Sequence, residues 1–176
     1  MVTTNNGLHV VFGTGPVGLA VMAALVAKGR RVRGVNRSGQ AHAPAEVELV
    51  AADATDPEKT RRICQGAAVV YNCTNPPYHK WPELFPPLQA GVLAGAASAG
   101  AKLVVMENVY MYGPTGGKPL TETLPYAATT RKGRTRAKMS EALMAAHQQG
   151  QVRVAIGRAS DFFGPGVQKS AMGEQV

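Results

Sequence analysis

The clearest chemistry in the sequence sits in three glycines near its start, spaced G-x-G-x-x-G within Val10-Val11-Phe12-Gly13-Thr14-Gly15-Pro16-Val17-Gly18. An apolar run leads into them and a helical pattern follows at once, so the motif lies where a strand gives way to a helix. Each glycine then has a physical task. Gly13 lets the chain turn tightly at the strand end. Gly15 removes a side chain where a pyrophosphate approaches the backbone, and Gly18 lets the helix pack close to the strand. Pro16 suits the first helical turn, where its missing N–H is no loss. The free N–H groups there, with the helix dipole, favour phosphate. The plainer alternative is a tight strand–helix turn with no ligand.

A second informative point lies further on, in Asn36-Arg37-Ser38-Gly39. Dinucleotide-binding folds carry an acid about 20 residues past the glycines, where it binds the ribose 2′-OH and selects NAD. No acid is present here. Arg37 can pair with a 2′-phosphate, and Asn36 and Ser38 can donate hydrogen bonds to it. This pattern predicts NADP in preference to NAD. The plainer reading leaves Arg37 as a solvent-facing loop residue.

These groups need a scaffold, and the hydrophobic pattern supplies one. Leu8 to Phe12 reads as a buried strand, and Val17 to Lys28 as a helix with Leu19, Met22, Ala23 and Val26 on its apolar face. Gly29 is a natural stop. Strands follow at Arg31 to Asn36, Val47 to Ala51, Ala67 to Cys73, Lys102 to Met106 and Val152 to Ile156. Between them lie a short helix opened by Asp56-Pro57 and closed by Gly66, a long one from Glu83 to Ala99, and another from Lys132 to His147. The last takes Ala137, Leu143, Met144 and Ala145 as apolar anchors. The alanines and glycines of the Glu83–Ala99 helix suit close packing, inside the domain or between subunits. Six short apolar strands alternating with helices predict an α/β fold: a Rossmann-type, doubly wound parallel sheet with helices on both faces.

Such sheets bind ligands at the carboxyl ends of their strands. Asp53 stands after the third strand, where its plainer role is a turn or cap. Thr74-Asn75-Pro76-Pro77-Tyr78 stands after the fourth, and Asn108 after the fifth. Tyr78 and Trp81 either wall the site or cover the core.

Composition narrows the class. The chain has 176 residues, 45% of them hydrophobic and 17% charged, enough for one compact domain with a sizeable core. No apolar run is long enough to span a membrane. The N-terminus lacks the basic and apolar regions of a signal peptide, so a cytoplasmic location is expected. Cys64 and Cys73 form neither a disulfide framework nor a metal-ligand set. The net charge of +8 raises nucleic acid as a partner. The basic residues fall mainly in two groups, however: Lys28, Arg30, Arg31, Arg33 and Arg37, then Arg131, Lys132, Arg134, Arg136 and Lys138. Both groups lie on segments that fit a dinucleotide fold, and no nucleic-acid-binding signature accompanies them.

Taken together, the landmarks resemble the extended branch of the short-chain dehydrogenase/reductases, the nucleotide-sugar epimerase/dehydratase-like proteins. They are the glycine motif, Asp53, Tyr112-Gly113, Leu120-Thr121-Glu122, Arg158-Ala159-Ser160 and Phe163-Gly164-Pro165-Gly166. The resemblance implies that Gly13, Thr14, Gly15, Pro16, Val17 and Gly18 bind pyrophosphate. It implies that Asp53 and Ala54 meet the adenine, that Cys73, Thr74 and Asn75 line the cofactor, and that Arg37 marks the NADP-preferring kind. It also implies a small-molecule substrate and a homodimer. That family uses a serine or threonine, a tyrosine, and a lysine four residues after the tyrosine. Here Asn108 stands at the serine position, Lys132 at the tyrosine and Arg136 at the lysine.

Those replacements change the chemistry. Asn108 still hydrogen-bonds a carbonyl or hydroxyl. Lys132 acts as an acid/base only if burial or neighbouring cations lower its pKa. Arg136, one helical turn on, supplies charge but no proton. The pair could equally bind an anion or be surface cations. Tyr110, Tyr112 and Tyr126 are alternative acids. Family members continue well past Gly-Pro-Gly, so the expectation is a single NAD(P)-binding domain, residues 1–176, truncated before the substrate-binding part. Two functions are expected: an NADP(H)-binding epimerase, dehydratase or reductase with a non-standard active site, or a non-catalytic redox sensor or regulator.

Overall fold

A computed structural model of the chain describes residues 7–162. Strand β1, Leu8–Phe12, is apolar apart from His9 and buried along its whole length. Such a strand needs cover on both faces, and it lies at the centre of a six-stranded parallel sheet ordered β3-β2-β1-β4-β5-β6. The others are β2 (Val32–Asn36), β3 (Glu48–Ala51), β4 (Ala67–Asn72), β5 (Lys102–Glu107) and β6 (Arg153–Arg158). Four helices connect them: α1 (Pro16–Ala27), α2 (Pro57–Ile63), α3 (Trp81–Ser98) and α4 (Arg131–Gln148). This is the expected doubly wound sheet. Successive connections run one way from β1 to β3 and the other way from β4 to β6, which leaves a crevice between the carboxyl ends of β1 and β4.

The two faces bury different residues of β1, as a two-residue repeat requires. Leu8, Val10 and Phe12 meet Val92 and Ala96 of α3 and Leu143 and Ala146 of α4. Val11 points the other way, towards Met22, Val21, Leu25 and Val26 of α1. The small residues of α3 serve packing inside the domain. A Cβ on Gly91 would stand 1.9 Å from the Ala54 carbonyl oxygen, and one on Gly95 would meet Cys64 and Thr60, so both glycines receive the α2 segment.

Two expected packing faces need correction. Ala23 is exposed, and Gly18 and Met22 are the buried residues of α1. The helix carries no charged side chain, so its pattern offers no polar contrast from which to read a face. On α4, Met144 is exposed. The buried stripe runs instead through Gly133, Arg136, Ala137, Met139, Ser140, Leu143 and Ala146. Its two polar members displace it from where apolar residues alone would put it. The α3 helix also begins at Trp81, two residues before Glu83, with Pro82 in its first turn. The Phe163-Gly164-Pro165-Gly166 motif lies outside the described residues.

Candidate functional site

The glycine loop runs from β1 into α1, and its three glycines do three different things. Gly13 has φ +98°, and a Cβ there would lie 2.5 Å from the Cys73 carbonyl oxygen at the end of β4. Only glycine fits that turn. A Cβ on Gly18 would stand 1.9 Å from the Gly13 carbonyl oxygen, so helix and loop are in backbone contact. Around Gly15, by contrast, no atom lies within 4 Å of the Cβ position. Gly15 is the N-cap of α1 without a side-chain cap, Pro16 opens the helix, and the first turn holds no acid. The helix N-terminus is thus open, positive in its dipole and sterically clear.

The end of β2 is tied to this loop. Asn36 Nδ2 donates to Thr14 Oγ1 at 2.7 Å and to the Gln40 carbonyl at 2.8 Å. Its Oδ1 accepts from the Gly39 N–H and from Ser38 Oγ. Asn36 therefore shapes the turn that presents Arg37, which is exposed. Asp53 lies beyond β3, exposed, with Oδ1 accepting from the Thr55 N–H at 2.9 Å and its hydroxyl at 2.8 Å. Those two hydrogen bonds, with the Arg37 and Lys59 charges, hold its carboxyl below the ordinary aspartate range. The turn role expected of Asp53 is thus present. Ala54 is buried against α3.

A cavity of about 550 Å³ opens on the β1–β4 crevice. One side is the glycine loop, at Gly15, Pro16 and Val17, with Cys73, Thr74 and Asn75 after β4. The other holds Asn108, Arg136 and Ser160 and an aromatic wall of Tyr78, Trp81, Phe85 and Tyr110. Asn108 accepts the Tyr110 N–H on its Oδ1 at 3.2 Å. Lys132 is not in this cavity. It lines the neighbouring groove, with its Nζ 3.7 Å above the centre of the Tyr78 ring, a cation–π contact. Tyr110 borders both spaces. Its hydrogen bond to Tyr78, then burial, raises its pKa above the ordinary phenol range.

Beneath the cavity lies a buried charge cluster. Glu107, the last residue of β5, has a fully buried side chain. Ser140 Oγ donates to its Oε2 at 2.7 Å, Arg158 Nε reaches the same oxygen at 3.3 Å, and Arg136 Nη2 lies 3.3 Å from Oε1. Oε1 and Arg136 Nε have no hydrogen bond of good geometry, so this contact is an ion pair only. Arg158 also donates to the hydroxyls of Tyr112 and Tyr126, which draws both tyrosines away from the cavity. Burial lowers the pKa of Arg136, and Glu107 opposes that effect. The reading of Arg136 as a surface cation is therefore wrong: its side chain is 3% exposed and lies over the Phe85 ring.

The profile of the NAD dependent epimerase/dehydratase family matches residues 10–176. This chain belongs to that family. Among solved structures, a UDP-galactose 4-epimerase superposes over 92% of this chain and 59% of its own, with a TM-score of 0.81 and 22% identity. MoeE5 in complex with UDP-glucose and NAD superposes over 91% of this chain and 56% of its own, at 0.76 and 18%. A UDP-N-acetylglucosamine 4-epimerase from Methanobrevibacter ruminantium M1, in complex with UDP-N-acetylmuramic acid, does so over 94% and 59%, at 0.79 and 15%. These identities establish the fold, and the chain spans little more than half the length of those proteins. Comparison with curated protein sequences gives no match. No helix among the described residues is long and apolar enough to cross a membrane.

In this epimerase/dehydratase family member Lys132 stacks on Tyr78 outside the cavity and Arg136 is buried against Glu107. Sequence reasoning missed Glu107, Phe85 and Met106. For Glu107 one signal existed, an acid ending an apolar buried strand, because such a charge must be paired. Its partners stand on α4 and β6, too distant in sequence to be read locally.

Cys73 lines the cavity. Burial pushes its thiol, and that of Cys64, up to about 12, so neither is a thiolate near neutrality. Both are expected to resist iodoacetamide in the folded chain at about pH 8 and to react readily once it is unfolded in guanidinium. Intact-mass analysis checks this, and rapid labelling of folded protein would contradict it.

Proposed function

We propose that this chain binds a nicotinamide dinucleotide across the β1–β4 crevice, NADP(H) in preference to NAD(H). It then interconverts a carbonyl and a hydroxyl in a small molecule held in the adjoining cavity. The open N-terminus of α1 carries the reading: Gly15 leaves space, no acid stands in the first turn, and the N–H groups of the first turn have no helical partner. Phosphates would fit on Gly13 to Gly18. Asn36, Arg37 and Ser38 would receive the ribose phosphate, Asp53 and Ala54 the adenine, and Cys73, Thr74 and Asn75 the nicotinamide half. Residues 1–176 would act as one dinucleotide-binding unit.

When bound, the dinucleotide supplies the hydride donor or acceptor. The side-chain amide of Asn108 holds the substrate oxygen by donating to it, since its Oδ1 already accepts from Tyr110. The Tyr110 hydroxyl would give a proton to that oxygen as the carbonyl becomes a hydroxyl, and solvent would replace the proton. A phenol is protonated near neutrality, as a proton donor must be; the Tyr78 hydrogen bond and burial that raise its pKa make it a weak acid that relies on its placement beside the substrate oxygen. Lys132 is the second candidate acid, and it would have to leave the Tyr78 ring to serve. Arg136 holds charge and shape behind Asn108.

Titration calorimetry of NADPH against NADH tests the reading, and no uptake of either would sink it. Arg37→Ala should weaken NADPH by about tenfold or more, the size of one charge-assisted contact, and leave NADH unchanged. Equal effects on both, or none, would remove the NADP preference.

A second reading, a dinucleotide-binding sensor without turnover, is favoured by positions 132 and 136, where neither side chain presents a proton to the cavity. It predicts NADPH binding, and altered hydrogen exchange on binding, with no oxidation of NADPH by any ketone or aldehyde offered.

A further inference from the structure

We infer that the cavity beside Asn108 takes an uncharged carbonyl compound with a flat apolar body, an aryl-alkyl ketone or aryl aldehyde. This rests on the dinucleotide reading above and names its substrate class.

The wall is aromatic and preformed. Trp81 packs edge-on to Tyr78 and Phe85, with ring centres 4.9 and 5.2 Å apart, and tilted on Tyr110 at 5.8 Å. Its indole Nε1 donates to the Pro76 carbonyl at 3.1 Å, which fixes the ring. A rigid slot of this kind loses little entropy when it binds a flat ring. Tyr78, Met106 and Tyr110 border the same space at 53%, 37% and 40% exposure, and only Leu120 and Met144 join them as large apolar side chains so exposed among the described residues. Exposed apolar surface gathered around one cavity marks a place where something apolar binds.

Charge and hydrogen-bonding capacity point the same way. Arg136 is the one cation lining the cavity among the described residues, and it is already paired with Glu107. The lining also carries Asp161. A diphosphate would find no unpaired cation there and would meet the Asp161 carboxylate, while Glu107 is matched by Arg136 and Arg158. Lys132 stands in the neighbouring groove. On the side of the aromatic wall, Asn108 and Ser160 suffice to hold one oxygen.

Trp81 is the only tryptophan in the sequence, so intrinsic emission reports on this wall directly. With NADP⁺ saturating, the full chain is titrated with 4-phenylbutan-2-one and, separately, with UDP-glucose, while calorimetry follows NADP⁺ uptake. The ketone is expected to shift Trp81 emission saturably and UDP-glucose to leave it unchanged. Tyr110→Ala should weaken the ketone by about tenfold with the melting temperature and NADP⁺ affinity of the parent chain. NADP⁺ uptake with no saturable response to the ketone overturns the substrate assignment and leaves the dinucleotide reading standing. So does a response to UDP-glucose alone, or unchanged ketone affinity in Tyr110→Ala. Absence of NADP⁺ uptake overturns the dinucleotide reading, and the substrate class falls with it.

Discussion

Gly18→Ala is expected to damage the fold, whereas Gly15→Ala is expected to leave the fold alone and remove dinucleotide binding. At position 18 the new Cβ would stand 1.9 Å from the carbonyl oxygen of Gly13. That neighbour is backbone at the tightest point of the loop and cannot rotate away. Forced overpacking of this kind costs about 1–3 kcal/mol, sometimes more, which lowers Tm by roughly 2–12 °C in a chain of this size. At position 15 the Cβ meets no atom within 4 Å, and φ is −76°, ordinary for alanine. Thermal stability should therefore fall only by about 1 kcal/mol, the cost of alanine in place of glycine at a helix N-cap. The methyl group would stand where a phosphate must approach, and dinucleotide affinity should fall by at least about tenfold. Melting curves and calorimetry on both variants separate the two roles. Normal NADPH binding by Gly15→Ala would place the phosphates elsewhere.

Loss of Glu107 is expected to be the most costly single side-chain change outside the apolar core. Its carboxylate faces Arg136 and Arg158, whose side chains are 3% and 15% exposed. Glu107→Gln keeps the shape and removes the charge, leaving two guanidinium groups with no anion between them. Breaking a buried pair in this way costs about 3–5 kcal/mol, enough to unfold a marginal domain. The double variant Glu107→Leu with Arg136→Met removes both buried partners, and it should regain most of the loss because the desolvation of both charges is relieved. Arg158 would keep the Tyr112 and Tyr126 hydroxyls. Denaturant unfolding of Glu107→Leu, Arg136→Met and their double variant beside the parent chain completes a double-mutant cycle. A Glu107→Gln chain as stable as its parent would show that the cluster does not support the fold.

Much of this was legible in the sequence because it is written locally. Strand β1 falls on the expected Leu8–Phe12, and the other strands and helices lie within about two residues of where periodicity puts them. Apolar runs, glycine stops and Asp56-Pro57 each act on neighbours in the chain. The glycine motif was equally readable, since its spacing encodes a turn, an approach and a packing contact within six residues. Where the pattern had no contrast, as in the all-apolar α1, the buried face was lost and Ala23 was misplaced.

By itself, then, the sequence determined the order of strands and helices, the doubly wound class and the helix end suited to phosphate, because all of these follow from short-range sterics and hydrophobic period. Only the tertiary structure decided that Arg136 is buried while Lys132 stacks on Tyr78, that Glu107 joins β5, α4 and β6, and that Trp81 both packs in a core cluster with Phe85 and Met139 and lines the cavity. Burial and pairing are properties of space. Residues far apart along the chain become neighbours only when parallel strands set their carboxyl ends side by side, and only there does a charge find its partner or a ring its cavity.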